Sequence, residues 1–329
     1  MKNKFLFVLL LLISIGVVSF CSTFFYVKYN KTEAAKDDIL VMTSCNPIYI
    51  ATTNVVGDID GVTVENLSQP TTGCLHDYTL TTEDMKNLAA CDVLIVNGGG
   101  MEGYLDDVIA AYPKLTIIDT FEAIEDSYPI IKEDEEAEEE EAEEEEEEHI
   151  HGEASEEHHH HGEFNSHIWM SEDIYSGQIE AIAEGLSNVD DSHAKEYMAN
   201  ATLFNNNLSK YIDKADVEAG LNGENVAILH EAFAYTAQSI GANVVAAMDL
   251  DEERQVSAGE VSSFIDEIVD NGVKVVFAEY DYGSALGKLI EEQTDAKVVY
   301  LETLVHGTYD KDDYITVLNK NYALIHNSL

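Results

Sequence analysis

Residues 81–100, TTEDMKNLAACDVLIVNGGG, contain the pattern that decides the fold. Thr81 or Thr82 is a good N-cap for a helix over residues 82–90, because a hydroxyl oxygen can accept a hydrogen bond from the free N–H groups of the first turn. The apolar run at residues 93–96 is short and rich in β-branched side chains, which is typical of a strand buried in a parallel sheet. A helix that leads directly into such a strand predicts an α/β protein.

The same alternation continues on both sides of this segment. Further strands are predicted at residues 39–43, 62–67, 115–118, 226–229, 244–246, 275–278 and 298–300. Helices are predicted at residues 47–56, 104–111, 171–186, 191–219, 232–240, 258–270, 283–293 and 312–326. The longest of them, at residues 191–219, would extend about 43 Å at 1.5 Å per residue.

The simplest assembly is two α/β lobes, each a parallel sheet flanked by helices, joined by this long helix. We assign residues 39–190 to an N-terminal lobe, residues 191–221 to the linking helix and residues 222–329 to a C-terminal lobe.

Residues 1–28 predict a signal peptide or a membrane anchor. Two lysines precede an apolar run over residues 5–27, which is long enough to span a bilayer. Three outcomes are open: lipidation of Cys21, although Phe20 stands where lipoprotein signals place a small residue; an uncleaved helix; or ordinary cleavage. All three export the chain, to the outer face of the cytoplasmic membrane or to the periplasm. Contact with the membrane is expected only through the N-terminus, and residues 29–38 form a polar spacer.

The 329 residues include 64 Asp and Glu against 17 Lys and Arg, so the formal net charge is −47. Residues 133–163 hold 18 of the acidic residues and no basic ones, which leaves −29 on the rest of the chain. This balance excludes nucleic acid and anionic lipid surfaces as partners, because both would be repelled. Cations, small molecules and other proteins remain.

The acidic insert at residues 133–163 cannot bury a core and is predicted to be disordered. Imidazoles beside carboxylates bind divalent cations even without a fold, so we expect a secondary, low-affinity metal site there. Six of the 12 histidines lie in the insert: His149, His151, His158, His159, His160 and His161.

The four cysteines do not indicate a disulfide scaffold. Cys45 and Cys74 each follow a predicted strand, so they either meet in a disulfide at the sheet edge or remain separate thiols. Cys91 begins an apolar strand and is predicted to be a core residue.

Three histidines outside the insert lie where open parallel sheets bind ligands, beyond the carboxyl ends of strands. His76 is in the loop after the second strand, His230 directly follows the strand at residues 226–229, and His167 precedes a helix. A single histidine at a strand end is usually a cap or a surface residue, but three on the same edge of two lobes indicate a shared site. Neutral imidazole suits Zn²⁺, which requires about four donors in tetrahedral geometry.

Three carboxylates are predicted to support these histidines. An imidazole that binds a metal through one nitrogen usually donates the N–H of its other nitrogen to a carboxylate or a carbonyl. The carboxylates predicted to lie beside the site are Asp77, Glu231 and Glu279. Asp77 and Glu231 are also suitable N-caps for the helices that follow them.

The segments around the histidines resemble one known family. HDY at residues 76–78, HIWMS at 167–171, HEAFAY at 230–235 and VFAE at 276–279 occur in this order along the chain. In these motifs, and in the acidic His-rich insert, residues 39–329 are similar to the metal-binding solute receptors of bacterial ABC transporters, cluster A-I. The zinc-uptake branch is the most similar.

The resemblance implies two α/β lobes linked by one long rigid helix, with His76, His167 and His230 as metal ligands. Manganese-type receptors usually have glutamate at the third position, so His230 favours Zn²⁺. The loop after the last strand, LETLVHG at residues 301–307, departs from the Leu-Asp-Pro-Leu-Gly of many relatives. The fourth ligand is then Glu302, His306 or a water molecule.

The implied function is a monomeric, extracytoplasmic zinc receptor, not an enzyme. It would deliver Zn²⁺ to an ABC permease, which an ATPase powers from inside. Alternatives are a receptor for manganese or another transition metal, and a surface metal buffer or adhesin of the same fold. A zinc hydrolase is disfavoured because the sequence contains no HExxH, no nucleophile elbow and no phosphate-binding glycine loop.

Overall fold

Two four-stranded sheets, one in each half of the chain, form the framework of the protein. The computed structural model describes residues 38–68, 78–132, 163–250 and 256–329. Leu40–Leu329 belong to one compact unit. The N-terminal segment, the insert at residues 133–162 and the predictions made for both lie outside the described residues.

The strands of the first lobe stand in the order β2-β1-β3-β4 and those of the second in the order β6-β5-β7-β8. The ladders β1–β3 and β3–β4 are parallel, as are the three ladders of the second sheet. The strands are β1 Ile39–Thr43, β2 Val62–Asn66, β3 Val93–Val96, β4 Thr116–Asp119, β5 Asn225–Ile228, β6 Asn243–Ala247, β7 Val275–Glu279 and β8 Lys297–Leu301. The two lobes therefore have the same strand order. In each sheet the second strand lies on one side of the first strand, and the third and fourth strands lie on the other side.

Helices connect and cover the strands. They are α1 Asn46–Val56, α2 Thr82–Ala90, α3 Leu105–Ala111, α4 Glu172–Val189, α5 Ala194–Tyr211, α6 Ala215–Leu221, α7 Phe233–Ser239, α8 Ala258–Asp270, α9 Tyr280–Gln293 and α10 Asp313–His326. The N-cap of α2 is Thr81, whose hydroxyl accepts from Asp84 N–H while the Asp84 carboxylate accepts from Thr81 N–H. All four residues of β3 are fully buried, as predicted for a central strand of a parallel sheet.

The linking helix is shorter than predicted. Instead of one helix over residues 191–219, α5 ends at Tyr211 and α6 begins at Ala215. The break has a tertiary cause: Asn319 of α10 donates to the Tyr211 carbonyl and accepts from Asp213 N–H, so its amide group replaces the next helical hydrogen bonds. The linking element is therefore α5, which packs against α1 and α4 of the first lobe.

Aromatic side chains join the two lobes. The ring of Tyr175 on α4 stacks on Tyr314 of α10 with ring centroids 3.8 Å apart. The Tyr175 hydroxyl donates to the Pro47 carbonyl, and the Tyr309 hydroxyl donates to the Ser68 carbonyl. The stacking of Tyr175 on Tyr314 and the hydrogen bond from Tyr309 to Ser68 join the second lobe to the first, and both contacts restrict the opening between the lobes. Within the described ranges, no helix has the length and apolarity needed to cross a membrane.

Candidate metal centre

Two predicted ligands, His167 and His230, meet in the interior. Their ring centroids are 5.0 Å apart, and both side chains are almost completely buried. His230 follows β5 of the second lobe, whereas His167 precedes a short 3₁₀ helix, Ile168–Met170, that leads into α4. Two nitrogens bound to one tetrahedral Zn²⁺ lie about 3.4 Å apart, so rings at this separation can share one ion.

Polar neighbours determine the orientation of His167. Its Nδ1 lies 3.1 Å from Glu231 Oε1 and 3.3 Å from Asn165 Oδ1. Because both oxygens are acceptors, Nδ1 carries the proton and Nε2 is the nitrogen with the lone pair. Asn165 in turn donates to the Glu231 carbonyl, and Tyr235 donates its hydroxyl to the Asn165 carbonyl. The imidazole is therefore held in one tautomer by residues of both lobes.

His230 is kept neutral by its surroundings. Burial lowers the pKa of its imidazole, and the nearby His167 lowers it further, while Asp249, Glu279 and Glu231 oppose this effect. Its Nδ1 is buried and has no hydrogen-bond partner among the described residues. A buried polar atom left without a partner costs about 1–3 kcal/mol. A neutral ring with an unused nitrogen is suited to bind a cation.

A second polar network supports the segment that carries His167. The Asn97 side chain at the end of β3 donates to the Ser166 carbonyl over 2.8 Å, and Gln178 donates to Asn97 Oδ1. The carboxylate of Glu102 accepts from the backbone N–H groups of Asn97 and Gly98. All of these groups are buried, so the backbone next to His167 is tied to the carboxyl end of β3.

Glu302 and His306 lie beyond the ends of β7 and β8. Together with Glu279 and Thr303 they line a cavity of about 370 Å³. Glu302 is half exposed and forms an ion pair with Lys320 of α10. The fourth ligand predicted at this loop is thus engaged elsewhere, and its role stays a prediction.

Several predicted site residues cannot be placed. His76 and Asp77 lie in the undescribed residues 69–77, and the six histidines of the insert lie in residues 133–162. Among the described residues, no group of three or more His, Cys, Asp or Glu side chains is arranged to hold a metal. The metal centre therefore stays a prediction that depends on His76.

Cys45 and Cys91 are free thiols. Burial raises the pKa of Cys45 to about 12 and that of Cys91 to about 11. The predicted partner of Cys45, Cys74, lies outside the described residues. Thiols with such pKa values are protonated at neutral pH and are poor metal ligands.

Sequence reasoning missed Asn165, Asp249 and Thr303. Asn165 lies only two residues before His167, so the sequence could have predicted that its amide contacts this candidate ligand. Thr303 stands where the resemblance expects proline, and such a departure in a ligand loop was another signal. No sequence pattern marked Asp249, because its proximity to His230 depends on β6 lying beside β5.

A family model for the zinc-uptake complex component A, periplasmic, matches residues 41–328. The chain is 26% identical over 301 residues to the zinc-binding protein AdcA of Streptococcus pyogenes serotype M1, covering 88% of this chain and 56% of that protein. It is 24% identical over 326 residues to the iron-binding protein YfeA of Yersinia pestis, covering 97% of this chain and 95% of that protein. The chain thus spans little more than half the length of the streptococcal relative.

Among solved structures, the solute-binding protein FpvC of Pseudomonas aeruginosa in complex with Mn²⁺ superimposes with a TM-score of 0.71 at 22% identity, covering 88% of this chain and 98% of that one. At this level of identity the likeness concerns the fold. It confirms the predicted fold class of two α/β lobes.

Proposed function

Because the chain belongs to the zinc-uptake complex component A family, we propose that it is an extracytoplasmic receptor that binds Zn²⁺ and delivers it to an ABC transporter permease. The family consists of solute-binding receptors, so the prediction that the chain is not an enzyme is confirmed. Zn²⁺ is the cargo, and the permease with its ATPase is the proposed partner. We propose that the receptor acts as a monomer.

The observation that carries this proposal is the buried pair His167 and His230, one from each side of the cleft between the lobes. A neutral imidazole is a borderline donor that suits Zn²⁺ better than it suits harder ions. His76 is the proposed third ligand, and Glu302, His306 or water completes the site. Glu231 supports the proposal because its carboxylate accepts a hydrogen bond from His167 Nδ1–H, which leaves Nε2 as the nitrogen that would bind the metal.

Delivery depends on how the lobes respond to the ion. An ion bound by His167 and His230 bridges the two lobes, so the bound form differs from the free form at their shared surface. The stacked pair Tyr175 and Tyr314 and the helix α5 restrict the opening, so we propose a small closure. The permease would recognise this closed surface.

The N-terminal segment and the insert have subsidiary roles in this proposal. Residues 1–28 export the chain and either tether it, through Cys21 or as an uncleaved helix, or are removed. We propose that the histidines of the insert at residues 133–163 form a secondary, low-affinity Zn²⁺ site, because imidazoles beside carboxylates bind divalent cations.

A receptor for Mn²⁺ or Fe²⁺ is the second candidate, since relatives named for zinc, iron and manganese binding occur together. Competitive titration of the chelator-treated protein with Zn²⁺ and Mn²⁺ separates the two candidates. We expect one tight Zn²⁺ per chain and weaker Mn²⁺, whereas tighter Mn²⁺ would refute the zinc assignment. Zinc uptake that does not depend on the gene would indicate a surface buffer or adhesin instead.

A further inference from the structure

A carboxylate is buried in the first lobe, behind the segment that carries His167. Glu102 is 4% exposed, and among the described residues no basic side chain pairs with it. Its two oxygens instead accept from the backbone N–H groups of Asn97 over 2.8 Å and Gly98 over 3.0 Å. A buried carboxylate without a basic partner destabilises a fold, and a neutral side chain could fill the same space.

The turn that Glu102 holds has little conformational freedom. Gly98 has a φ of 82°, in the left-handed region, and a Cβ at this position would clash with the carboxylate of Asp119. Because the backbone is confined in this way, the direction of the Asn97 side chain depends on the hydrogen bonds that Glu102 accepts from the turn.

Asn97 extends this constraint to the metal centre. Its Nδ2 donates to the Ser166 carbonyl over 2.8 Å, and its Oδ1 accepts from Gln178 Nε2 over 3.0 Å. Ser166 directly precedes His167, so its carbonyl fixes the backbone from which the imidazole projects. These residues are all buried, and hydrogen bonds are stronger in such surroundings than in water. One chain of hydrogen bonds therefore leads from the Glu102 carboxylate to the residue before His167.

Three titratable side chains interact electrostatically with Glu102. They are Cys45, which precedes α1, Tyr104, which precedes α3, and Asp119, which ends β4. Burial raises the pKa of Cys45 and that of Tyr104, so both stay protonated at neutral pH. Burial also raises the pKa of Glu102 to about 7, and the charge of Asp119 adds to this rise. Glu102 therefore changes its charge within the neutral range.

Protonation changes the hydrogen bonds that Glu102 can accept. Both oxygens of an ionised carboxylate are acceptors, whereas one oxygen of a carboxylic acid carries a proton and becomes a donor. One of the two N–H groups of Asn97 and Gly98 then loses a good acceptor, so the turn is held less firmly. A cation bound at His167 acts in the opposite direction, because a nearby positive charge favours the ionised carboxylate.

We propose that Glu102 is a proton-sensitive positioning residue for the metal site. In its ionised form it holds Asn97, and through Asn97 the segment of His167, in the arrangement that binds the ion. In its protonated form it loosens this arrangement and favours release. This inference rests on the proposed function. Its consequence is a Zn²⁺ affinity that falls more steeply with decreasing pH than protonation of the histidine ligands alone requires.

The test measures the Zn²⁺ affinity of the chelator-treated protein between pH 5.5 and pH 8, by competition with a chromophoric chelator. Glu102→Gln removes the titrating group, and Glu83→Gln, which changes an exposed carboxylate of α2, is the matched control. At pH 8 we expect Glu102→Gln to bind Zn²⁺ about tenfold more weakly than the wild type, and at pH 5.5 within about twofold of it. Glu83→Gln should follow the wild type at every pH. Melting of the metal-free proteins checks that each variant folds.

A second variant tests the route from Glu102 to His167. Asn97→Ala removes the link to Ser166 but keeps the carboxyl group, so its Zn²⁺ affinity should vary with pH as it does in Glu102→Gln. A constant affinity ratio between the wild type and Glu102→Gln from pH 5.5 to pH 8 would indicate a merely structural role and overturn the proposal. The wild-type pH profile in Asn97→Ala would overturn it as well. Wild-type protein that binds no Zn²⁺ at pH 8 would instead contradict the proposed function.

Discussion

Glu102 should make the stability of the metal-free protein fall as the pH rises from 5 to 8. Its side chain is buried at the end of β3, where it accepts from the N–H groups of Asn97 and Gly98 at 2.8 and 3.0 Å. Burial raises its pKa from 4.5 to about 7, and the nearby Asp119 adds to this while the backbone N–H groups oppose it. The perturbation is Glu102→Gln, which removes the titration and keeps one acceptor oxygen.

The sign follows from proton linkage. The pKa of Glu102 is higher in the folded state than in the unfolded state, so between pH 4.5 and 7 the folded protein binds more protons and stability decreases with pH. A pKa difference of one unit corresponds to about 1.36 kcal/mol. The rise in the Glu102 pKa from 4.5 to about 7 on folding therefore corresponds to about 3 kcal/mol of the free energy of unfolding. This contribution is present below pH 4.5 and is lost as the pH rises through 7.

The assay is urea unfolding of the chelator-treated protein at pH 5 and pH 8. Between these two pH values the free energy of unfolding should fall by about 2.5 kcal/mol more in the wild type than in Glu102→Gln, because pH 5 already lies above 4.5 and all other groups titrate in both proteins. Glu83→Gln is the control. The Glu83 side chain is 69% exposed, and among the described residues its carboxylate accepts a hydrogen bond from Lys86 alone. Equal pH dependence in the wild type and Glu102→Gln would refute a buried carboxyl with a raised pKa.

Three further predictions concern metal binding. His230→Ala should weaken Zn²⁺ binding by about 3–5 kcal/mol, because it removes one ligand of a zinc site whose complete binding free energy is ~10–16 kcal/mol. His193→Ala, which removes a contact with Asp190, should leave the titration curve unchanged. Equal affinities for His230→Ala and the wild type would contradict the site. Glu231→Ala should weaken Zn²⁺ binding by about 10–100-fold in calorimetry, because it removes the carboxylate acceptor of His167 Nδ1–H, and a loss below twofold would argue against that role. Deletion of residues 133–162 should leave the tight site intact in equilibrium dialysis and remove only weak binding; loss of tight binding would contradict a collecting role.

The fold was predictable to a large extent because its signals are local. The strand at residues 93–96 and the helix at residues 82–90 were predicted with the bounds that the structure has, since burial on both faces and an N-cap depend on adjacent residues. The predicted bounds of the linking helix were wrong, because no Gly or Pro between residues 191 and 219 marks the break after Tyr211. The cause is Asn319, more than 100 residues away from Tyr211 along the chain.

The metal centre was predictable only in part. The sequence selected His230 by its position after a strand, His167 by its position before a helix, and both by motif resemblance, and the structure places the two rings 5.0 Å apart. The sequence named Glu302 as a candidate fourth ligand, but it could not show that this side chain is half exposed and pairs with Lys320, because that contact depends on how α10 packs against the loop.

Residue type and spacing by themselves determined the α/β class, the two lobes and the candidate histidines. These features follow from hydrophobic periodicity and from donor chemistry, which do not require knowledge of distant contacts. Only the tertiary structure decided the strand order, the break after Tyr211 and the hydrogen bond from Asn97 to Ser166. Each of these arises where segments far apart in the chain pack together and satisfy polar groups, as Asn319 and Asn97 do here.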